Sequence, residues 1–192
     1  MQELREKILK EGKICPNDIV KVDSFLNHQV DVHFLKKIGQ EFKKRFEGCE
    51  VNKILTIESS GIAIACYVAE AFNCRLVFAK KGVSLNQSND FYESKVFSYT
   101  RREEYPIRVS KEFLTINDKV LVIDDFLANG AALNGLIDIV NKSGATLVGC
   151  GTVIEKGFQP GGKSLRKKGI KVESLVIIES TDEVNQKITF RE

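Results

Sequence analysis

Four short apolar runs, each next to a helical pattern, constrain the fold of this chain more than any other feature. The runs KILTI, RLVFA, KVLVI and TLVGCGTVI occupy residues 53–57, 75–79, 119–123 and 146–154. Runs that are apolar almost throughout are typical of parallel strands buried on both faces, with helices as the connections between them. The sequence therefore predicts an α/β domain with a mainly parallel sheet flanked by helices.

The composition fits one domain in a reducing compartment. The chain has 192 residues, of which 43% are hydrophobic and 29% are charged, so residues 1–192 can bury a single core. A net charge of +3 is too small to indicate a nucleic-acid partner or a membrane surface, and no run of about 18 apolar residues predicts a membrane span. Five cysteines without a Cys-x-x-Cys pair argue against a disulfide framework or a zinc site, which predicts a cytoplasmic protein.

Two parts of the chain do not fit the alternation of strands and helices. Residues 1–32 are predicted to form a small lobe over one end of the sheet, and an amphipathic helix follows at 33–46. The polar segment 82–112 contains the alternating stretches KVFSYT and PIRVS, which predict a two-stranded ribbon. A polar excursion of this length inside a compact domain is more often functional than accidental.

The stretch VLVIDDFLANGAAL at 120–133 carries the clearest chemical signal. Asp124 and Asp125 follow an apolar strand, and small residues then lead into a helix. Parallel sheets bind ligands at the carboxyl ends of their strands, and a helix N-terminus with little side-chain bulk offers free N–H groups to a phosphate. Because ionised carboxylates only accept hydrogen bonds, the two acids suit the vicinal hydroxyls of a ribose. The stretch predicts a ribose 5-phosphate site whose phosphate is bound by Ala128, Asn129, Gly130, Ala131 and Ala132.

Other interpretations of this stretch are weaker. A P-loop would need Gly-Lys-Ser/Thr and a dinucleotide site would need Gly-x-Gly-x-x-Gly, and the stretch contains neither. The plain structural alternative is a solubilising strand end followed by an ordinary helix start.

The stretch VLVIDDFLANGAA resembles the phosphoribosyl-diphosphate binding motif of the type I phosphoribosyltransferases. Within that family, KVDSFLNHQVD, TIESSGIAIA, VFAKK, VFSYT, IDDFLANG and VIEKGFQPG resemble the bacterial xanthine phosphoribosyltransferases, so the resemblance covers nearly the whole chain. It implies the type I fold, with a base-binding hood formed by residues 1–32 and the C-terminal part, and a mobile lid over residues 82–112. Most family members carry Thr-Gly-Gly-Thr where this chain has NGAA at 129–132, a form that is similar to the xanthine branch.

The resemblance also implies an activity. This activity is the transfer of the 5-phosphoribosyl group from phosphoribosyl diphosphate to xanthine, giving xanthosine 5′-monophosphate and diphosphate in purine salvage. Asp124 and Asp125 would be the catalytic residues, holding the ribose hydroxyls beside a developing positive charge. Mg²⁺ would be held mainly by the substrate diphosphate and water, with no metal ligands from the protein, and the chain would form a homodimer. Two alternatives stay open, a hypoxanthine or guanine phosphoribosyltransferase and a purine- or nucleotide-sensing regulator on the same fold.

The remaining site residues divide between the diphosphate and the base. The stretch ESSG opens a helix and offers a second anion site, which in this family carries a non-proline cis peptide. Binding of phosphoribosyl diphosphate is expected at Glu58, Ser59, Ser60, Gly61, Lys81, Ser98 and Tyr99. The base is expected to contact Val20, Asn27, Lys156 and either Phe126 or Phe158. Lys156 has three N–H donors that favour the oxo groups of xanthine over an amino group.

Overall fold

A mixed sheet of eight strands organises the part of the chain that the structure describes. The computed structural model covers residues 1–82, 90–98 and 103–191, and the side chain of Ser98 lies outside this description. A separate hairpin precedes the sheet, and the strands in chain order are β1 (Lys13–Cys15), β2 (Ile19–Lys21), β3 (Lys53–Ile57), β4 (Arg75–Lys81), β5 (Phe91–Ser98), β6 (Glu103–Ser110), β7 (Lys119–Leu127), β8 (Thr146–Lys156), β9 (Val172–Asp182) and β10 (Lys187–Phe190).

The structure contains five α-helices in the described residues, and α2 and α4 begin or end at residues suited to those positions. They are α1 (Gln2–Glu11), α2 (Val32–Arg45), α3 (Ser60–Phe72), α4 (Ala131–Ser143) and α5 (Gly161–Lys167), with a π-helical turn at Asp23–Asn27. The Asp31 carboxylate accepts a hydrogen bond from the backbone N–H of Phe34 and caps α2. Gly130 and Gly144 flank α4 with φ values of 81° and 75°, in the left-handed region that glycine enters without steric cost. Within the described ranges, no helix has the length and apolar character needed to cross a membrane.

The strand order reverses at the centre of the sheet. The order is β10-β9-β8-β7-β3-β4-β6-β5, and the five strands from β9 to β4 are parallel. The chain builds outward from β3 to β4, and in the opposite direction from β7 through β8 to β9. Open α/β sheets bind ligands beyond the carboxyl ends of the strands at such a reversal.

The apolar side chains of β7 alternate between two cores, which explains why its sequence is hydrophobic throughout. Leu121 and Ile123 belong to the core that α2 and α3 cover, whereas Val120 and Val122 belong to the core that contains Leu136 of α4. Successive side chains of a strand point to opposite faces, so both faces of β7 are buried beneath helices. The predicted α/β architecture with a mainly parallel sheet is confirmed.

The N-terminal segment forms a lobe that is attached to the C-terminal strands. The N-terminal ammonium group of Met1 donates a hydrogen bond to the carbonyl oxygen of Leu175 at 2.8 Å. The Gln186 side chain accepts a hydrogen bond from the backbone N–H of Ile14 and donates one to its carbonyl oxygen, both at 3.0 Å. The hairpin of β1 and β2 is therefore hydrogen-bonded to the turn between β9 and β10, and the base-binding hood stays a prediction.

The predicted ribbon forms at one edge of the sheet and is anchored in the second core. Strands β5 and β6 pair in an antiparallel manner over their whole length, and the side chains of Val96 and Ile107 are buried. Gly135 of α4 allows this contact, because an added Cβ atom would lie 2.5 Å from Cγ2 of Val96. The mobile lid over residues 82–112 stays a prediction, and residues 83–89 and 99–102 of it lie outside the description.

Several predicted boundaries are wrong, and three elements of the C-terminal part were not predicted. Strand β7 does not end at residue 123 but runs to Leu127, because pairing with β8 continues to Glu155. Asp124 and Asp125 therefore lie inside a strand rather than after it. Helix α5 and strands β9 and β10 were missed, because α5 has only seven residues and the apolar part of β9 lies between polar ends.

We expect substitution of Gly135 by valine to destabilise the protein by about 1–3 kcal/mol, because the added atoms overpack the contact between α4 and β5. The loss should be clearly smaller in a Val96→Ala background, since the clashing Cγ2 atom is then absent. Urea denaturation of the four proteins measures the free energies, and Asn141→Val on the exposed face of α4 controls for the helix propensity of valine. Additive losses would show that Val96 does not limit the space beside Gly135.

Candidate active site

A crevice opens where β3 and β7 separate. The two strands pair only from Lys53 with Val120 to Leu55 with Val122. Beyond Val122, β7 continues against β8 alone. A cavity of about 230 Å³ lies along this part of β7 and is lined by Val96, Phe97, Tyr105, Asp124, Phe126, Leu127 and residues 128–133. The loss of one neighbouring strand thus creates space at the carboxyl edge of the sheet.

Two adjacent carboxylates are buried on β7. Asp124 is 5% exposed and Asp125 is 9% exposed. Asp124 Oδ1 accepts a hydrogen bond from the backbone N–H of Asp125 at 3.0 Å, and Asp125 Oδ1 accepts one from Phe126 at 2.9 Å. Burial raises the pKa of Asp124 well above its ordinary value, and the charge of Asp125 raises this pKa further. The pair is therefore poised to attract a cationic or hydrogen-bond-donating ligand.

A buried hydroxyl group on β3 lies close to this carboxylate pair. Thr56 is fully buried, and its Oγ1 atom has no hydrogen-bond partner among the described residues. A Cβ atom added to Gly61 would lie 2.2 Å from this oxygen and 3.5 Å from Oδ1 of Asp124. Gly61 is thus a glycine for steric reasons, since any side chain would displace the hydroxyl group beside the acids.

The loop after β7 forms a nest of backbone donors. Gly130 adopts a φ of 81° and starts α4, whose first turn contains no acidic residue. The N–H groups of a first helical turn have no partners within the helix, and the helix dipole gives them a partial positive charge. Residues 128–132 line the same cavity as Asp124 and Phe126. The arrangement provides an anion site next to a pair of carboxylates.

The loop between β3 and α3 forms a second turn at the same edge. The peptide bond between Glu58 and Ser59 is cis, as the resemblance implied, and α3 begins at Ser60. The Glu58 side chain accepts a hydrogen bond from the backbone N–H of Lys81, at the end of β4. The Lys81 ammonium lies 5.5 Å from the centre of the Tyr105 ring and opposes the rise of the Asp124 pKa. Glu58 and Lys81 are thereby held together near the carboxylate pair.

Lys156 joins the end of β8 to the N-terminal hairpin. Its Nζ atom donates a hydrogen bond to the carbonyl oxygen of Asp18 at 2.9 Å, and Asp18 lies in the turn between β1 and β2. Partial burial lowers the pKa of Lys156, while the charge of Asp18 acts in the opposite direction. The side chain of Val20 on β2 is buried, whereas Asn27 is exposed at the end of the π-helical turn.

The structure thus brings the predicted residues together in three groups. Asp124, Phe126 and the loop 128–132 line the crevice, and Asp125 follows Asp124 on β7. Glu58 of the second turn is hydrogen-bonded to Lys81 at the end of β4, and Val20 and Lys156 lie at the hairpin. Ser98 ends β5, and Tyr99 lies outside the described residues. Sequence reasoning missed Thr56, which gave no signal because it occupies an apolar strand like any β-branched residue.

The comparisons with known proteins agree on one family. A family model described as a phosphoribosyl transferase domain matches residues 29–186. The chain is 55% identical over 192 residues to a xanthine phosphoribosyltransferase 2 of Clostridium botulinum strain Hall, covering all of both chains. It is 53% identical over 192 residues to a xanthine phosphoribosyltransferase of Clostridioides difficile strain 630, again covering all of both chains.

The fold is similar to that of solved adenine phosphoribosyltransferases. The structure from Trypanosoma brucei, in complex with AMP, pyrophosphate and ribose-5-phosphate, matches with a TM-score of 0.75 and 21% identity, covering 91% of this chain and 79% of that one. The structure from Rhodothermus marinus matches with a TM-score of 0.75 and 19% identity, covering 93% of this chain and 100% of that one. At these identities the likeness shows the fold alone.

The raised pKa of Asp124 predicts a pH-dependent cost in stability. The folded state binds this proton more tightly than the unfolded state, so stability falls as pH rises from about 4 through the folded pKa. We expect Asp124→Asn to be more stable than the native protein at pH 7, with the gain shrinking towards pH 4. Denaturant unfolding at several pH values measures this, and the exposed Asp23→Asn variant is the control. A pH-independent difference would contradict the burial of an ionisable Asp124.

Proposed function

This chain belongs to the phosphoribosyl transferase family, and we propose that it transfers the 5-phosphoribosyl group of phosphoribosyl diphosphate to xanthine. The products are xanthosine 5′-monophosphate and diphosphate. The predicted resemblance to the xanthine phosphoribosyltransferases is confirmed by relatives at 53% and 55% identity over the full length. The observation that carries the proposal is that the buried Asp124, followed by the buried Asp125, lines one crevice with the N-terminus of α4.

The loop 128–132 is proposed to bind the 5-phosphate, and the acids are proposed to bind the ribose. Backbone N–H groups at the start of α4 attract the phosphate, which the small side chains of the loop let approach closely. Asp124 and Asp125 accept hydrogen bonds from the two ribose hydroxyls. As the bond from ribose C1 to the diphosphate lengthens, positive charge develops on the sugar, and the buried carboxylates stabilise it in a medium of low dielectric constant.

The diphosphate is proposed to lie between the turn at 58–61 and Lys81. The N-terminus of α3 offers a second set of backbone donors, and Lys81 supplies a positive charge near Asp124. Ser98 and Tyr99 remain proposed donors from the ribbon, the latter outside the described residues. The two anion sites and the acids would then hold the phosphate, the ribose and the diphosphate of a single substrate.

Mg²⁺ is proposed to accompany the diphosphate. Among the described residues, no three His, Cys, Asp or Glu side chains converge on a metal position. We propose that the ion is bound mainly by diphosphate and water oxygens, a coordination that Mg²⁺ accepts readily. Bound there, the ion neutralises charge on the leaving diphosphate.

The base is proposed to lie between Phe126 and the hood. Phe126 is half-buried in the crevice and presents an aromatic face for stacking. Lys156 uses one donor on Asp18 and keeps two for oxo groups of the purine, while Val20 and Asn27 approach from the lobe. Partial burial of the lysine strengthens its preference for an oxo acceptor, because an amino group there would leave the charge unpaired.

We also propose that the chain forms a homodimer in the cytoplasm. Phe78, Phe113 and Ile116 are exposed apolar side chains that a second copy of the chain would cover in a homodimer. Cysteines that are all unpaired in the described structure suit a cytoplasmic protein. The proposed partners are xanthine and phosphoribosyl diphosphate, with no nucleic acid and no membrane.

We expect Asp124→Asn and Asp125→Asn to lower kcat by about 10²–10³ each without unfolding the protein, because electrostatic stabilisation of the transition state is lost. Steady-state release of diphosphate with xanthine, phosphoribosyl diphosphate and Mg²⁺ measures the effect, and circular dichroism checks the fold. Asp23→Asn, which changes an exposed acid, should keep native activity. Near-native kcat in both site variants would remove the ribose assignment.

Lys156→Met tests the choice of base. The native protein should prefer xanthine over hypoxanthine, guanine and adenine, since xanthine alone places an oxo group where guanine carries an amino group. The variant should lose kcat/KM mainly with xanthine. Only xanthine has an oxo group at that position for the lysine to pair with, so removing the lysine removes the discrimination between the bases. The exposed Lys163→Met variant is the control. An equal loss with every base would assign the lysine to the phosphates or to the fold.

A further inference from the structure

Two carbonyl groups of the loop 128–132 are hydrogen-bonded to structure outside the loop. The carbonyl oxygen of Ala128 accepts a hydrogen bond from the backbone N–H of Gly161, at the start of α5, at 3.1 Å. The carbonyl oxygen of Gly130 accepts two, from the backbone N–H of Asn134 at 2.9 Å and from its side-chain Nδ2 at 2.7 Å. Both oxygens are therefore fixed in direction by scaffold residues.

A fixed carbonyl also fixes the N–H group of the next residue. The peptide group is planar and trans, so its C=O and N–H bonds point in opposite directions. Holding the oxygen of Ala128 towards α5 turns the N–H of Asn129 away from α5. Holding the oxygen of Gly130 towards Asn134 turns the N–H of Ala131 away from that side chain. The hydrogen bonds behind the loop thus orient two of the donors available to an anion in front of it.

The orientation of the Asn134 side chain is itself determined by Lys168. The Lys168 ammonium donates a hydrogen bond to Oδ1 of Asn134 at 2.9 Å. A lysine can only donate, so the amide must present its oxygen to Lys168 and its NH₂ group to Gly130. Lys168 directly follows α5, so this helix supports the loop from both of its ends.

Helix α5 is in turn fixed to the sheet by an ion pair. Arg166 donates two parallel hydrogen bonds of 2.7 Å to the carboxylate of Glu155, whose side chain is almost completely buried in β8. The pairing is bidentate, which fixes orientation as well as distance. The contact between helix and loop is also tight, since a Cβ atom on Gly161 would lie 2.3 Å from the oxygen of Ala128.

We propose that Asn134, oriented by Lys168, is a positioning residue that sets the direction of the loop N–H groups for the 5-phosphate. The inference rests on the proposed function, since it assumes that the loop binds this phosphate. Asn134 lies behind the loop, in the second turn of α4, and acts through the Gly130–Ala131 peptide. Its loss should therefore weaken binding of the phosphate group and leave binding of the base and sugar intact.

The test compares a nucleotide with its nucleoside. Calorimetry with xanthosine 5′-monophosphate and with xanthosine gives the contribution of the phosphate to binding in each variant. We expect Asn134→Ala to weaken nucleotide binding by about 3- to 10-fold, as for loss of one hydrogen bond, with nucleoside binding unchanged. Asn134→Asp should weaken nucleotide binding at least as much, because it keeps the contact with Lys168 but cannot donate to Gly130 and adds a negative charge behind the phosphate. Lys168→Arg should retain nucleotide affinity that Lys168→Met loses.

The controls separate failure of this inference from failure of the proposed function. Asn141→Ala, on the exposed face of α4, should bind both ligands like the native protein. If the native protein binds xanthosine 5′-monophosphate no better than xanthosine, the phosphate site itself is wrong, and the proposed function fails with it. If the native protein prefers the nucleotide and Asn134→Ala keeps the full preference, or weakens both ligands equally, Asn134 does not position the loop and the inference alone is overturned.

Discussion

The site depends on one constraint, which is that the pairing between β3 and β7 ends early. The two parallel strands pair through only three residue pairs, and β7 then continues with a neighbour on one side alone. Because the pairing ends, a crevice opens at the point where the strand order reverses, which is where α/β sheets place ligands. The carboxylate of Asp124 and the loop 128–132 line this opening.

Burial makes the acids effective and also costly. Two adjacent carboxylates in a poorly solvated strand repel each other, and the raised pKa of Asp124 records that repulsion together with the loss of hydration. In the free protein this lowers stability, whereas the sugar of the proposed reaction would relieve it by gaining positive charge. The two apolar cores on either side of β7 stabilise the fold and offset the cost of burying the two acids.

Neighbouring residues of β8 connect the two ends of the site. Glu155 holds α5, which supports the loop proposed to bind the phosphate, and Lys156 reaches the hairpin proposed to cover the base. One strand end thus supports the phosphate side through a buried ion pair and the base side through an exposed hydrogen bond.

The sequence by itself determined the features that depend only on residues close together in the chain. Apolar runs located the four central strands, small residues and a glycine predicted the helix start at 131, and paired acids beside that start predicted ribose and phosphate chemistry. Only the tertiary structure decided that β7 runs through both acids and that the Thr56 hydroxyl, which has no hydrogen-bond partner in the described part of the chain, lies near Asp124. It also decided that Asn134 and Lys168 orient the loop from behind. These features depend on which strand lies next to which and on contacts between residues 34 positions apart. No local pattern encodes such contacts, because the free energy of each arises only when the packed chain brings its partners together.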